Sequence, residues 1–183
     1  SSGTAGKQSK HLVSDISLYQ ESYLKSFELF YGDVTHYCIL SLLPIYRERD
    51  GSSLIYMVDD LISKSKHDQS GFYLNDYQRL SSTLEKLERE GQKTILFGIS
   101  SALLDLAKQF PQKLKNTIII ETGGTKGEEK SILKEELHQK LKDSFCLELI
   151  HSEYSMTELL SQSYSNGNSI FKSPTWKKVL IRD

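Results

Sequence analysis

The chain contains few of the residues and patterns that would assign it to a special class of protein. In 183 residues there are three prolines and two cysteines, and the formal net charge is −1. No apolar run approaches ~18 residues, which excludes a transmembrane helix, and no charged-then-apolar signal segment opens the sequence. The near-neutral charge favours neither a nucleic acid nor a membrane surface as a general partner.

The two cysteines do not form a recognisable motif. Cys38 and Cys146 lie far apart, and neither has the spacing of a zinc ligand or a redox pair. They are therefore interpreted as two buried free thiols, which predicts a reducing, cytoplasmic location. A catalytic cysteine stays open, although no local pattern supports one.

The overall composition is that of an ordinary globular domain. Apolar residues make up 38% and charged residues 26% of the chain, and the length suits one domain over residues 1–183. The first residue is not methionine, and the last residues, 177–183, have an apolar pattern that predicts a strand without a polar tail. We therefore expect a fragment of a longer protein.

Short apolar runs alternate with longer segments of helical periodicity. Helices are predicted from Ser14 to about Phe30, over 54–61, from an Asn75 cap over 76–89, from Ser100 or Ser101 to about 110, and from Ser131 to about 145. Strands are predicted at 37–43, 94–98, 117–121 and 147–150, with a further short one at 72–74. The four main runs are continuously apolar, as in strands buried on both faces. The fold class predicted is therefore α/β, with a mostly parallel sheet and helices on both faces.

In such a sheet, ligands bind beyond the carboxyl ends of the strands. This rule directs attention to residues 43–46, 98–101, 122–124 and 152–158. Gly123 and Gly124 follow one predicted strand, and adjacent glycines leave room for a flat ligand beside the backbone. Taken alone, the pair is better explained by the alternative, a plain turn before a helix.

The segment after the last predicted strand carries an aromatic ring, a hydroxyl and a carboxylate. Tyr154 can stack on a base, Thr157 can donate to a phosphate, and Glu158 can bind a divalent cation through oxygen. The alternative is a helix start with acidic residues in its first turn. His151 is interpreted either as a base or acyl-pocket residue or as a packed, hydrogen-bonded histidine.

The first residues form a glycine-rich loop, SSGTAGK. Such loops let backbone N–H groups converge on phosphate oxygens, although the spacing is not that of a P-loop. The candidate phosphate-binding residues are Ser1, Ser2, Gly3, Thr4, Gly6 and Lys7. A disordered terminus is the alternative.

These three motifs occur together, and in this order, in the adenylate-forming enzyme superfamily. SSGTAGK resembles its phosphate loop, Gly123-Gly124 its adenine-facing glycine pair, and Tyr154-Ser155-Met156-Thr157-Glu158 its Y-G-x-T-E motif. More narrowly, GSSLIYMVDDLI, SGFYLND, ETGGTKG, ELHQKL, HSEYSMTELLSQSYS and WKKVLIRD resemble the acyl-protein synthetase family. Its best-known member activates fatty acids for the reductase of bacterial bioluminescence.

The resemblance implies a role for each motif. The opening loop would enclose the β- and γ-phosphates of ATP, Gly123 and Gly124 would flank adenine, and Tyr154 would stack on it. Thr157 would contact the α-phosphate and Glu158 would bind Mg²⁺. Tyr46 would lie near the acyl pocket. Ser155 departs from the family, which has glycine at this position.

The implied activity is ligation of an acid to a thiol. A fatty or other carboxylic acid would be activated as an acyl-adenylate and passed to a protein thiol, with an acyl reductase as a possible protein partner. The resemblance also implies sequence before residue 1 and a small C-terminal domain, so the 183 residues alone are expected to be a weak or inactive catalyst. An aryl- or acyl-CoA ligase and a non-catalytic nucleotide-binding lobe are the alternatives.

Overall fold

The computed structural model describes residues 11–44, 51–74, 76–123 and 133–180. Within these residues a single sheet contains six strands, in the order β2-β1-β3-β4-β5-β6. The strands are β1 (Cys38–Leu42), β2 (Gly71–Phe72), β3 (Thr94–Gly98), β4 (Thr117–Thr122), β5 (His151–Tyr154) and β6 (Ser163–Ser165). The first five are parallel and β6 is antiparallel to β5. The predicted α/β fold with a mostly parallel sheet is confirmed.

In the described part of the chain, five α-helices cover the two faces of the sheet. They are α1 (Ile16–Tyr31), α2 (Ser53–Ser65), α3 (Tyr77–Glu90), α4 (Ser100–Gln109) and α5 (Lys134–Phe145). Buried side chains of α1 and α2 form one hydrophobic cluster with one face of β1, β3 and β4. Those of α3, α4 and α5 form a second cluster on the opposite face. The central strands are buried on both faces, which explains their continuously apolar sequences.

The strand order determines where the chain changes direction across the sheet. From β1 the chain first adds β2 on one side, and it then returns across β1 to add β3, β4 and β5 on the other side. This is one of the two common doubly wound orders, and in both of them ligands bind at the carboxyl ends of the strands. Residues 43–44, 99–100, 123 and 155–158 lie at that edge.

Local sequence signals determine most helix ends. Ser52 and Asp76 cap α2 and α3, each accepting a hydrogen bond from a backbone N–H of the first turn. Asp15, and not Ser14 as predicted, caps α1, since its carboxylate accepts from the Ser17 N–H at 2.9 Å. Gly91 ends α3 in the left-handed conformation, as predicted. The predicted caps Asn75 and Ser131 lie outside the described residues.

The prediction of a strand at 147–150 is wrong, because these residues have no regular structure and the first of them completes the end of α5. Cys146 takes the left-handed conformation, and the N–H of Leu147 bonds back to the carbonyl of Lys142 at 3.2 Å. Leu147 then packs against the hydrophobic cluster, as apolar residues commonly do after such a helix end. The strand itself begins at His151, so Ser152, Glu153 and Tyr154 belong to the strand and do not follow it.

Two further sequence expectations concern the last third of the chain. The antiparallel strand β6 was not predicted from its sequence, SYS. Residues 177–180 were predicted as part of a strand but have no regular structure, and residues 181–183 lie outside the described ranges. Among the described residues, no helix is long and apolar enough to cross a membrane.

Replacing Gly98 with alanine is expected to destabilise the fold. A Cβ at this position would lie 2.7 Å from Cγ of Leu103, a fully buried side chain of α4. Since the strand and the helix both belong to the core, we expect a loss of about 1–3 kcal/mol in the free energy of unfolding, measured with urea. The matched control is Gly71→Ala, where the nearest atom is 3.8 Å away. A loss no greater than that of the control would contradict close packing at Gly98.

Candidate functional site

The carboxyl ends of β4 and β5 bring two of the predicted motifs together. The two strands pair in parallel with Glu121 opposite Ser152 and Thr122 opposite Glu153. Gly123 and Tyr154 are the next residues along each strand, so they lie side by side at the ligand-binding edge. Gly123 and Tyr154, which are remote in sequence, therefore lie next to each other at one edge of the sheet.

Tyr154 belongs to an exposed pair of aromatic rings flanked by two ammonium groups. The Tyr154 and Phe171 rings meet at a steep angle with their centres 5.9 Å apart, and they are 47% and 38% exposed. Lys177 Nζ lies 5.2 Å from the centre of the Tyr154 ring, and Lys134 Nζ lies 4.6 Å from that of Phe171. Exposed rings beside cations suit a ligand that is both planar and anionic, such as a nucleotide.

Sequence reasoning did not select Phe171, Lys134 or Lys177. Phe171 and Lys177 follow β6, which was itself not predicted, and Lys134 is the first residue of α5. No local motif singles them out. Their relation to Tyr154 could not be inferred without knowing that the chain returns along β6 to the same edge of the sheet.

A buried hydroxyl and a buried carboxylate support the backbone at Gly123. Ser100 Oγ, at the start of α4, lies 2.9 Å from Glu121 Oε1 and 2.8 Å from the Gly123 carbonyl oxygen. Burial raises the pKa of Glu121, although the Ser100 hydroxyl and the Lys134 ammonium, 3.8 Å from Oε2, favour its charged form. These contacts hold Gly123 in place beside Tyr154.

Glu158 is a partly exposed carboxylate just beyond β5. It lies in a short 3₁₀ turn, Thr157–Leu159, and its Oε2 is 4.0 Å from Nε2 of His11. The described residues contain no group of three or more His, Cys, Asp or Glu side chains that could hold a metal by themselves. A single carboxylate nevertheless fits Mg²⁺, which typically takes one or two protein carboxylates together with phosphate oxygens and water.

Several predicted site residues lie outside the described ranges. They are Ser1, Ser2, Gly3, Thr4, Gly6 and Lys7 of the opening loop, together with Gly124 and Tyr46. Of the predicted site residues that are described, Gly123 and Tyr154 lie on neighbouring strands, and the turn with Thr157 and Glu158 follows Tyr154 along the chain.

The opposite face of β5 carries a second group of polar side chains, which is buried against α1. Glu153 is 5% exposed, and burial raises its pKa to about 7, although Ser155 and Lys177 favour its charged form. His151 Nδ1 lies 3.3 Å from the Tyr31 hydroxyl, and burial lowers the pKa of its imidazole. His151 is therefore packed and hydrogen-bonded within the described residues, as one of its two interpretations predicted.

The chain was compared with protein-family models, with curated proteins and with solved structures. None of the three comparisons found a match.

Replacing Glu153 with glutamine is expected to stabilise the protein above neutral pH. Burial raises the pKa of Glu153 from its ordinary value of 4.5 to about 7 in the folded state, so the folded protein loses stability as pH rises from 4.5 through 7. At about 1.4 kcal/mol per pKa unit, the full difference is on the order of 3 kcal/mol. We expect wild type to lose stability relative to Glu153→Gln as pH increases from 5 to 8, measured by urea unfolding.

Comparing wild type with Glu153→Gln cancels the effect of His138 on stability, which changes with pH in the opposite direction. Burial lowers the pKa of His138 to about 4, so its neutral form contributes stability that is lost as pH falls below 6.5. This contribution is the same in wild type and variant. Glu148→Gln, at an exposed position, is the control. A constant stability difference between wild type and Glu153→Gln across this range would contradict the raised pKa.

Proposed function

We propose that the chain binds ATP and takes part in the activation of a carboxylic acid as an acyl-adenylate, followed by transfer of the acyl group to a protein thiol. The observation that carries this proposal is the pairing of β4 with β5. It juxtaposes the glycine and the tyrosine for which the sequence resemblance implies adenine binding. The resemblance depends on the order of motifs along the sequence, and the proximity of Gly123 to Tyr154 is a separate geometric requirement of adenine binding, which the fold meets.

The surroundings of Tyr154 support a nucleotide as the ligand. An exposed ring provides a stacking surface for a purine, and Lys134 and Lys177 supply positive charge close to it. The Gly123 carbonyl, held by Ser100, keeps the backbone beside the ring in a defined position. In this proposal adenine lies between the Gly123 backbone and Tyr154.

Glu158 is the residue proposed to hold Mg²⁺, together with the phosphates of ATP. Bound there, the ion would neutralise negative charge on the phosphates. Thr157, next to it, is proposed to contact the α-phosphate. Both residues lie in the turn immediately beyond Tyr154, so base and phosphates would be bound by one short segment.

The proposed reaction has two steps. An oxygen of the acid's carboxylate attacks the α-phosphorus of ATP, the bond to the β-phosphate oxygen breaks, and pyrophosphate leaves. A protein thiolate then attacks the acyl carbon, a thioester forms, and AMP leaves. The first step brings an anion towards an anion, so the cationic groups beside the site serve to offset the repulsion and stabilise the transition state.

Two alternative functions share part of this proposal. A CoA ligase of the same superfamily would use the same nucleotide site and pass the acyl group to CoA, and an assay offering CoA and protein cysteine as acceptors separates the two. A non-catalytic lobe would have the fold alone or would bind nucleotide without reacting. No feature of the described residues favours either alternative over the acyl-protein ligase.

Calorimetric titration with ATP and Mg²⁺ tests the nucleotide site. We expect binding that requires Mg²⁺ and that weakens about tenfold or more in Tyr154→Leu, because a stacked base contributes roughly 1–3 kcal/mol. Glu158→Gln is expected to remove the dependence on Mg²⁺, because the amide no longer provides a charged oxygen ligand.

Two controls distinguish the site from general effects of substitution. Phe110→Leu changes an aromatic residue at the other end of α4, and Glu148→Gln changes an exposed glutamate before β5. Both are expected to bind ATP as wild type does. Binding of ATP that is indifferent to Tyr154 and Glu158, or no binding at all, would refute the proposed nucleotide site.

A further inference from the structure

The second group of polar side chains lies at the carboxyl end of β5, on the face of the sheet opposite the helix α5. Glu153 of β5 pairs with Tyr164 of β6, and Gln162 precedes Tyr164 by two residues, so the three side chains share one face. On this face Gln162 Nε2 donates to the Tyr19 hydroxyl of α1 at 3.0 Å. The Tyr164 hydroxyl points to Met57 of α2. The group is thus enclosed between the sheet and the helices α1 and α2.

Two buried oxygens in this group have no hydrogen-bond donor among the described residues. They are Oε1 of Glu153 and Oε1 of Gln162, on residues that are 5% and 0% exposed. Leaving a buried polar group unpaired costs about 1–3 kcal/mol, and such groups in folded proteins nearly always have a partner. Glu153 lies in β5 and Gln162 directly precedes β6, so both unpaired oxygens belong to the same face of the sheet, and a donor supplied by a ligand would satisfy them.

The chemistry around these oxygens defines the donor. The Tyr19 hydroxyl already donates to the Ser53 carbonyl at 2.9 Å, so it does not supply a proton to Glu153. The pairing of Glu153 with Tyr164 places its carboxylate on the same face as an aromatic ring. Burial raises the pKa of the hydroxyls of Tyr19, Tyr31 and Tyr164, and the negative charge of Glu153 raises each further. A carboxylate and an amide oxygen beside aromatic rings suit a hydroxyl or an ammonium group.

We propose that the acid bound by this chain carries a hydrogen-bond donor, a hydroxyl or an ammonium group, that Glu153 and Gln162 accept on the α1 face of the sheet. This inference rests on the proposed function, since it takes the bound ligand to be a carboxylic acid. It makes the substrate a hydroxy or amino acid, and an unsubstituted fatty acid a poorer ligand.

Binding of matched acids to the ¹⁵N-labelled chain tests the inference. Short straight-chain acids are titrated in sets of equal length: unsubstituted, with a terminal hydroxyl and with a terminal amino group. We expect one of the donor-bearing acids to bind about tenfold more tightly than its unsubstituted partner, as one additional hydrogen bond to a charged or buried acceptor contributes. The hydroxyl and amino sets show which donor is used.

Variants connect the preference to the two oxygens. Glu153→Gln removes the negative charge and is expected to reduce any preference for the acids with a terminal amino group about tenfold. Gln162→Met removes the amide oxygen and is expected to reduce the preference for either donor, and it serves as the second test if Glu153→Gln does not fold. Glu148→Gln changes an exposed carboxylate before β5, and it is expected to leave the ratio between donor-bearing and unsubstituted acids unchanged.

The outcomes separate this inference from the proposed function. Equal binding of substituted and unsubstituted acids overturns the inference, and so does the absence of binding by any acid. Whether ATP and Mg²⁺ bind is measured separately, so a chain that binds nucleotide without preferring donor-bearing acids retains the nucleotide site and loses only this inference. A preference that persists in both variants assigns the donor to other residues and also overturns it.

Discussion

The parallel pairing of β3, β4 and β5 is the constraint on which the rest of the structure depends. Because these strands run in the same direction, their carboxyl ends lie along one edge, and every residue that follows a strand is brought to that edge. The two hydrophobic clusters on either face keep the strands in register, since a shift would expose apolar side chains. Side chains separated by many residues, such as Ser100, Glu121 and Lys134, are consequently held within contact distance.

The strand β5 differs from β1 and β3 because both of its faces carry polar side chains. On the α5 side, Ser152 lies near His138, and Tyr154 joins the exposed aromatic pair. On the α1 side, Glu153 is buried among tyrosines. The proposed nucleotide and acid sites would therefore lie on opposite faces of one strand.

Some elements could be predicted accurately because their signals are local. The β3 strand and the α4 helix follow from an apolar run, a serine at the helix start and a proline beyond its end. The error at 147–150 shows the limit of this reasoning. An apolar run after a helix can form either a strand or the end of the helix. The hydrogen bond from Leu147 to Lys142 decides between them, and it cannot be inferred from composition. The polar sequence HSEY has no alternation or apolar run from which a strand could be recognised.

By itself, the sequence determined the class of fold, the principal helices and three of the parallel strands, because hydrophobic periodicity and capping residues act within a few positions along the chain. It also marked Gly123, Tyr154 and Glu158 as candidates through their order. The tertiary structure decided which side chains surround Tyr154 and which oxygens are buried beside Glu153. Those contacts depend on the return of the chain along β6 and on the packing of α1 against it, which join residues as distant as Tyr19 and Gln162. No pattern confined to neighbouring residues encodes such distances.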